Sequence, residues 1–372
     1  MADGASRNDD TVDRLRLIRS ANIGPVTYRQ LLARFGTARA ALDALPKVAA
    51  RGGGRAPRLA RLADIEREMA QVRTAGARYL FLGEHDYPAA LAQIDNAPPA
   101  LTLRGDTGLL TRPMIAMVGA RNASAAACRF ARELAGALAA TGTVVVSGLA
   151  RGIDTAAHVG AIGGSDGTGG TIGVIASGID IAYPPDNADL QERIATEQLL
   201  LAEQPPGTEP LARHFPFRNR IIAGLAAGSV VIEAAPRSGS LITARLAGEF
   251  GREVMAVPGS PLDPRAQGCN ALIRDGATLV QSADDVMESI GPIDPRAARS
   301  PSDAYDEEPV SADASDAERA AIVDLLSPTP VAVDELIRQS GRAPATVQTV
   351  LLELELAGRL ERHAGGRVGL PA

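Results

Sequence analysis

The stretch MIAMVGARNAS, Met114 to Ser124, sets five continuously apolar residues before a small-residue turn that ends in a hydroxyl. A run so short and so apolar reads as a strand buried on both faces, and Ser124 is the kind of residue that caps a following helix. Working outward, the same unit recurs. Thr143 to Ser147, Thr171 to Ala176, Leu199 to Ala202, Ser229 to Ala234 and Glu253 to Val257 are again β-branched or apolar. Helical stretches such as Ser124 to Ala140 and Leu241 to Phe250 lie between them. This alternation predicts an α/β fold, a doubly wound parallel sheet, over residues 112–290. Gly163 to Gly170, made of Gly, Ser, Asp and Thr, interrupts it and reads as a flexible surface loop.

With 372 residues the chain has room for two or three folding units. Hydrophobic residues make up 45% but aromatics only 3%, with no Trp, so the core must be packed from Ala, Val, Ile and Leu. Cys128 and Cys269 cannot supply a disulfide framework or a four-ligand zinc site and read as small apolar filler. The polar, acidic start and the lack of any apolar run near the roughly 18 residues of a membrane span predict a soluble, cytoplasmic protein without membrane insertion.

A net charge of −6 argues at first against a nucleic-acid partner. Residues 301–318, however, hold seven carboxylates and no basic residue, and without them the rest is near neutral. Lys47 is the sole lysine, so positive charge is almost all guanidinium, which forks onto phosphates and stacks on bases.

The flanks differ from the centre. After a disordered tail over residues 1–10, residues 11–78 read as a helical domain of helix-hairpin-helix or SAM-like type, with Asn22-Ile23-Gly24-Pro25 turning between two helices. Hairpin amides could cradle a phosphate there, or the domain could be a plain helical cap. Residues 79–290 form the Rossmann-like domain, 291–315 a disordered acidic linker, and 316–372 a winged helix with helices near 317–326, 332–339 and 344–357 and a wing turning at Gly365-Gly366.

The strongest local signals follow the strands, where such sheets place a ligand crevice. Gly119, Arg121 and Ser124 follow the first, without the spacing of a dinucleotide fingerprint, so no cofactor is expected. Ser147, Gly148, Arg151 and Gly152 follow the next and describe an anion-cradling turn. Asp154 reads as a cap or a partner of Arg151, and His158, lacking a nucleophile, as a hydrogen-bonded structural residue. Phe215-Pro216-Phe217-Arg218-Asn219-Arg220 combines aromatics with guanidinium, the chemistry of single-strand binding; the competing reading buries the rings and pairs the arginines with acids. Ser238, Gly239 and Ser240 form a further small-residue turn. Several phosphate-friendly turns on one sheet edge suit an extended polyanion. Residues 111–290 hold fourteen arginines against eighteen carboxylates, so binding requires the arginines to cluster at the strand ends.

The runs SGLARGID, FRNRIIAGL and SGSLITA, the stretch from Gly178 to Asn187 with Tyr183-Pro184, and the PG and GCN turns resemble, in order and spacing, the DNA-processing protein A (DprA/Smf) family. The resemblance covers about residues 80–290, with the flanks alike by architecture. It implies an extended Rossmann-like fold, a non-enzymatic protein that binds single-stranded DNA, a homodimer formed through that domain, and a role in loading the RecA recombinase during natural transformation. Carried over by motif, the binding residues are Gly119, Arg121, Ser124, Ser147, Gly148, Arg151, Gly152, Phe217, Arg218, Asn219, Arg220, Ser238, Gly239 and Ser240, with no catalytic residue, metal or cofactor. Two departures stand out: the 163–170 insertion lengthens a loop, and Cys269 stands where the family turn carries Thr, so one polar contact is lost.

The third helix of the winged segment contains Glu353 and Glu355 and no arginine, which predicts a protein-interaction or regulatory module in place of a groove reader. Among alternatives, a nucleotide hydrolase of the lysine-decarboxylase-like type needs a Pro-Gly-Gly signature that fails at Pro258-Gly259-Ser260, leaving Glu233 as the carboxylate to watch. A structural scaffold leaves Arg151, Arg218 and Arg220 without common purpose.

Overall fold

The computed structural model describes residues 2–165, 167–291, 313–363 and 365–371. It divides into two compact units, Glu68–Asp303, and Met1–Arg67 together with Ala304–Ala372.

The chain begins with α1 (Ala2–Ile18), α2 (Pro25–Phe35), α3 (Ala38–Arg51) and α4 (Leu62–Thr74). The tail expected to be disordered over residues 1–10 is helical from Ala2, and an Asp10–Arg14 ion pair one turn apart supports it. Pro25 opens α2, where its missing N–H costs nothing, and the Thr37 hydroxyl caps α3 by accepting from the Ala40 N–H. Leu17, Tyr28, Leu31, Leu42, Leu45 and Val48 bury between these helices.

The central elements are β1 (Arg78–Phe81), α5 (Ala89–Ala92), β2 (Ala100–Gly105), β3 (Met114–Gly119), α6 (Ala125–Ala140), β4 (Val144–Ser147), α7 (Ile153–Gly164), β5 (Gly170–Gly178), α8 (Ala188–Glu197), β6 (Leu199–Gln204), α9 (His214–Leu225), β7 (Gly228–Ile232), α10 (Gly239–Glu249), β8 (Glu253–Ala256), α11 (Gln267–Arg274), β9 (Thr278–Leu279) and α12 (Ala283–Ile290). They form one nine-stranded sheet in the order β1-β2-β6-β5-β4-β3-β7-β8-β9, parallel from β6 to β9 with β1 and β2 added antiparallel at one edge. Alternate side chains feed the two faces. Ile115 and Met117 of β3, Val145 of β4 and Val230 of β7 meet α6, α7 and α12, while Ala116, Val118, Val146 and Val231 pack toward α9, α10 and α11. Burying both faces is why these strands carry no polar alternation.

Residues 163–165 and 167–170 are tied down more than their composition suggests. α7 runs through Gly164, and the Arg112 guanidinium donates to the carbonyls of Gly167, Thr168 and Gly169 just before β5 begins.

The remaining elements are α13 (Asp316–Val323), β10 (Val331–Ala332), α14 (Val333–Ser340), α15 (Pro344–Leu356), β11 (Glu361–His363) and β12 (Arg367–Gly369), with the three strands antiparallel in the order β10-β12-β11. This is a winged helix whose wing turns at Gly365 and Gly366, both left-handed. Of the expected linker, 292–312 lies outside the described residues; at its end Asp313 pairs with Arg34 and Arg51, and Ser315 caps α13. α15 is buried on two sides: Val350, Leu351 and Leu354 face the winged-helix core, while Leu352 and Leu356 join the core of α1–α3. The helical and winged segments, expected as separate domains, therefore share a hydrophobic core.

Candidate nucleic-acid interface

At the carboxyl ends of β3, β4 and β5 the sheet opens into a crevice, closed on one side by the start of α9. Arg121, Arg151 and Arg218 line it, with Tyr183 and Phe215 and the bare backbone of Gly148. Three arginines, two from the turns after β3 and β4 and one from α9, thus converge, as binding of a polyanion requires.

Arg218 is the unusual member. It is 6% exposed, and its nearest counter-charge, Asp154, stands 3.9 Å away. Its Nε is buried without an acceptor, and among the described residues the guanidinium makes no hydrogen bond. Burial lowers the Arg218 pKa from its ordinary value, opposed by the Asp154 charge. Gly148 is what admits this group: a Cβ there would lie 1.1 Å from one guanidinium nitrogen. Gly152 serves the chain, with φ at +77° and a virtual Cβ 2.3 Å from the Ala120 carbonyl oxygen, and Gly119 likewise lets β3 lie against Ile232 and Ile153.

Beneath Arg218 the turn is fixed by two titratable groups. Asp154 accepts from the N–H groups of Gly148 (3.2 Å) and Ala150 (3.4 Å), so it braces the turn and faces Arg218, not Arg151. Burial pushes its carboxyl above the ordinary value, with Arg218 pulling the other way. His158 accepts from the Leu149 N–H at Nε2, and its Nδ1 lies 2.7 Å from the Thr171 hydroxyl, which itself donates to the Val145 carbonyl. That pattern demands the neutral ring with its proton on Nδ1. Burial first, and then the nearby Arg218 charge, depress its pKa to about 3. His158 is a structural residue.

α9 sorts its aromatic and basic residues by helical period. Phe215 and Arg218, three apart, share the crevice face: the Arg218 guanidinium lies 5.8 Å from the Phe215 ring centre, Arg121 lies 5.2 Å from it, and Tyr183 meets it edge-on at 5.9 Å. Phe217 and Arg220 share another face, where Arg220 pairs with Glu203 and Phe217 is half exposed. Arg220, Phe217 and the buried Asn219 do not line the crevice. Phe215 and Tyr183 do, and were left out of the motif-based set. The three-residue spacing from Phe215 to Arg218 was the signal that could have found the first. Arg151 is largely exposed, with Asp186 at 3.7 Å.

The turns nearer β7 do something else. The Glu233 carboxylate accepts from the Ser124 N–H (2.8 Å) and hydroxyl (2.5 Å), so an internal anion occupies the start of α6. Ser147 donates its hydroxyl to the Met117 carbonyl, and Ser238, just before Gly239, caps α10 and meets the Ser240 hydroxyl at 2.8 Å. Gly119, Ser124, Ser147, Gly152, Ser238, Gly239 and Ser240 lie off the crevice lining. Cys269 is buried, its thiol donating to the Val231 carbonyl at 3.6 Å and pushed up to about 11 by burial, in keeping with apolar filler. Among the described residues no three His, Cys, Asp or Glu side chains are grouped to hold a metal ion, and no helix is long and apolar enough to cross a membrane.

An extended Rossmann-like sheet with an arginine-lined crevice, flanked by a helix-hairpin-helix segment and a winged helix, defines the class of protein. The chain belongs to the family described as DNA recombination-mediator protein A, which matches residues 78–291; residues 8–70 match the DprA-like N-terminal HHH domain and 306–366 the DprA winged helix domain. It is 47% identical over 201 residues to the DNA processing protein DprA of Streptococcus pneumoniae, covering 54% of this chain and 70% of that protein. It is 37% identical over 291 residues to the Escherichia coli protein Smf, covering 76% and 75%. The X-ray structure of the S. pneumoniae protein superposes with a TM-score of 0.57 at 43% identity, over 61% of this chain and 77% of that one. A structure of the Helicobacter pylori DNA processing protein A, described for its single-stranded DNA binding mode, gives 0.52 at 28% identity, over 58% and 97%.

Proposed function

We infer that the protein binds single-stranded DNA through the crevice, as a non-catalytic DNA-processing protein of natural transformation that protects incoming strands and helps load the RecA recombinase. The observation that carries the reading is Arg218: a buried guanidinium with no hydrogen-bond acceptor, opened to the crevice by Gly148 and flanked by Arg121 and Arg151. A phosphate oxygen supplies the missing acceptor and the counter-charge. Phe215 is already overlain by two guanidiniums, so its part is to hold Arg121 and Arg218 in place, and Tyr183, 40% exposed, is the ring open to a base. Backbone contacts and stacking read little sequence, so base preference should be slight.

The Rossmann-like domain also carries the proposed homodimer contact, and the expected place of action is the cytoplasm. A nucleotide hydrolase is disfavoured because both oxygens of Glu233 are engaged by Ser124. Two assays test these readings. Nucleoside monophosphates incubated with the protein should release no free base. RecA filament growth on single strands coated with a single-strand-binding protein should accelerate when the protein is added; no acceleration removes the loading role while leaving DNA binding to be judged by titration.

A further inference from the structure

Between Asp43 and Asp64 the chain carries Lys47, Arg51, Arg55, Arg58 and Arg61 and no acidic residue. Residues 52–61 form the irregular segment joining α3 to α4, and their backbone is firmly held. The Ala21 N–H donates to the Arg58 carbonyl and the Ala60 N–H to the Ser20 hydroxyl, both at 3.1 Å, and that hydroxyl donates to the Arg16 carbonyl at 2.6 Å. Pro57 is buried, while Arg55, Arg58 and Arg61 are exposed. The end of α15 presses on the same segment: a Cβ on Gly52 would lie 2.1 Å from the Glu353 carbonyl oxygen, and the Arg359 guanidinium donates to the Gly52 carbonyl at 3.1 Å.

Several carboxylates of this unit are engaged elsewhere. Asp313 holds Arg34 and Arg51, Asp64 holds Arg67, Glu353 holds Arg319 and Glu355 holds Arg362. Arg55, Arg58 and Arg61 have no carboxylate partner among the described residues. Three like charges on a fixed backbone repel one another, and a row of anions relieves that repulsion. No aromatic residue occurs between Phe35 and Tyr79, so this segment can hold phosphates and cannot stack unpaired bases.

We propose that Arg55, Arg58 and Arg61 form a second DNA contact, on the terminal unit, which takes the phosphate backbone of single strands and duplexes alike. The winged helix serves it by fixing the shape of the segment. Its third helix is unavailable to a groove, because Leu352 and Leu356 are covered by α1–α3 and Glu353 and Glu355 are buried in ion pairs. The inference rests on DNA being the ligand of this protein and goes beyond the crevice.

The test uses the full-length protein as wild type, as the triple variant Arg55→Gln, Arg58→Gln, Arg61→Gln, and as Arg218→Ala. Each is titrated over a range of salt with a labelled single strand of about 6 nucleotides, short enough for one site, and with a labelled duplex. The triple variant should lose about 2.7 from the duplex salt slope, the sum for three duplex phosphate contacts, and keep most of its affinity for the short strand. Arg218→Ala should do the reverse. A wild-type duplex slope in the triple variant, with thermal melts showing both proteins folded, overturns the second contact and leaves the crevice standing, as does a wild type that binds the short strand and not the duplex. A wild type that binds neither DNA overturns both.

Discussion

A Cβ atom placed on Gly148 would lie 1.1 Å from a guanidinium nitrogen of Arg218. The missing side chain at the end of β4 makes the space that a charged group on α9, seventy residues later, occupies beside Asp154. Gly148→Ala should therefore expel Arg218 from its place and lower single-strand affinity about tenfold or more, the scale of one charge-assisted hydrogen bond. Fluorescence anisotropy on a labelled strand measures this; affinity equal to wild type would mean that the contact is irrelevant to binding.

Burial of His158 predicts a specific pH dependence. Its folded pKa, about 3, lies below the unfolded value of 6.5, so the unfolded state binds the extra proton throughout that window. The stability it confers is complete above pH 6.5 and is lost as the pH falls toward 3, by about 5 kcal/mol if the fold persists, an order-of-magnitude figure from 1.36 kcal/mol per pH unit. His158→Gln removes the titration. Urea unfolding of both proteins from neutral to acid pH should give curves whose separation changes across that window, and a constant separation would contradict the assignment.

Ser124 separates frame from binding surface. Its hydroxyl caps α6 and is held by Glu233, so Ser124→Ala should cost about 1 kcal/mol of stability and leave DNA affinity within about twofold. A large loss of affinity with unchanged stability would return the start of α6 to the binding surface.

Asp154 should matter through Arg218. Asp154→Ala strips a buried guanidinium of its counter-charge and the turn of its brace, and should destabilise the fold by about 3–5 kcal/mol. Chemical denaturation reads this directly. A loss under about 1 kcal/mol would show that Arg218 finds compensation elsewhere.

The six strands read from sequence, from Met114 to Val257, all form, because strands buried on both faces announce themselves as unbroken apolar runs. β1, β2 and β9 were missed: β1 and β9 are the two edge strands, β2 pairs antiparallel on both sides between β1 and β6, and β9 is two exposed residues, Thr278 and Leu279, with little apolar signal. The crevice was legible in Arg121, Gly148, Arg151 and Arg218, where a glycine or arginine follows a strand. A linear motif hides a helical face: Phe217 and Arg220, chosen with Arg218, lie on another face of α9, while Phe215 shares the side of Arg218. The common core of α1–α3 and α15 was not legible, since contacts such as Gln30 with Gln348 join residues some three hundred positions apart without a local pattern.

The central claim, that the crevice is the DNA site, is tested most directly by the salt dependence of single-strand binding in wild type, Arg151→Ala and Arg218→Ala. Wild type should bind with a steep slope of log affinity against log salt, and each substitution should flatten it by about 0.7, the single-strand value for one lost phosphate contact. Slopes unchanged from wild type in both variants, or no binding by wild type, would contradict the claim.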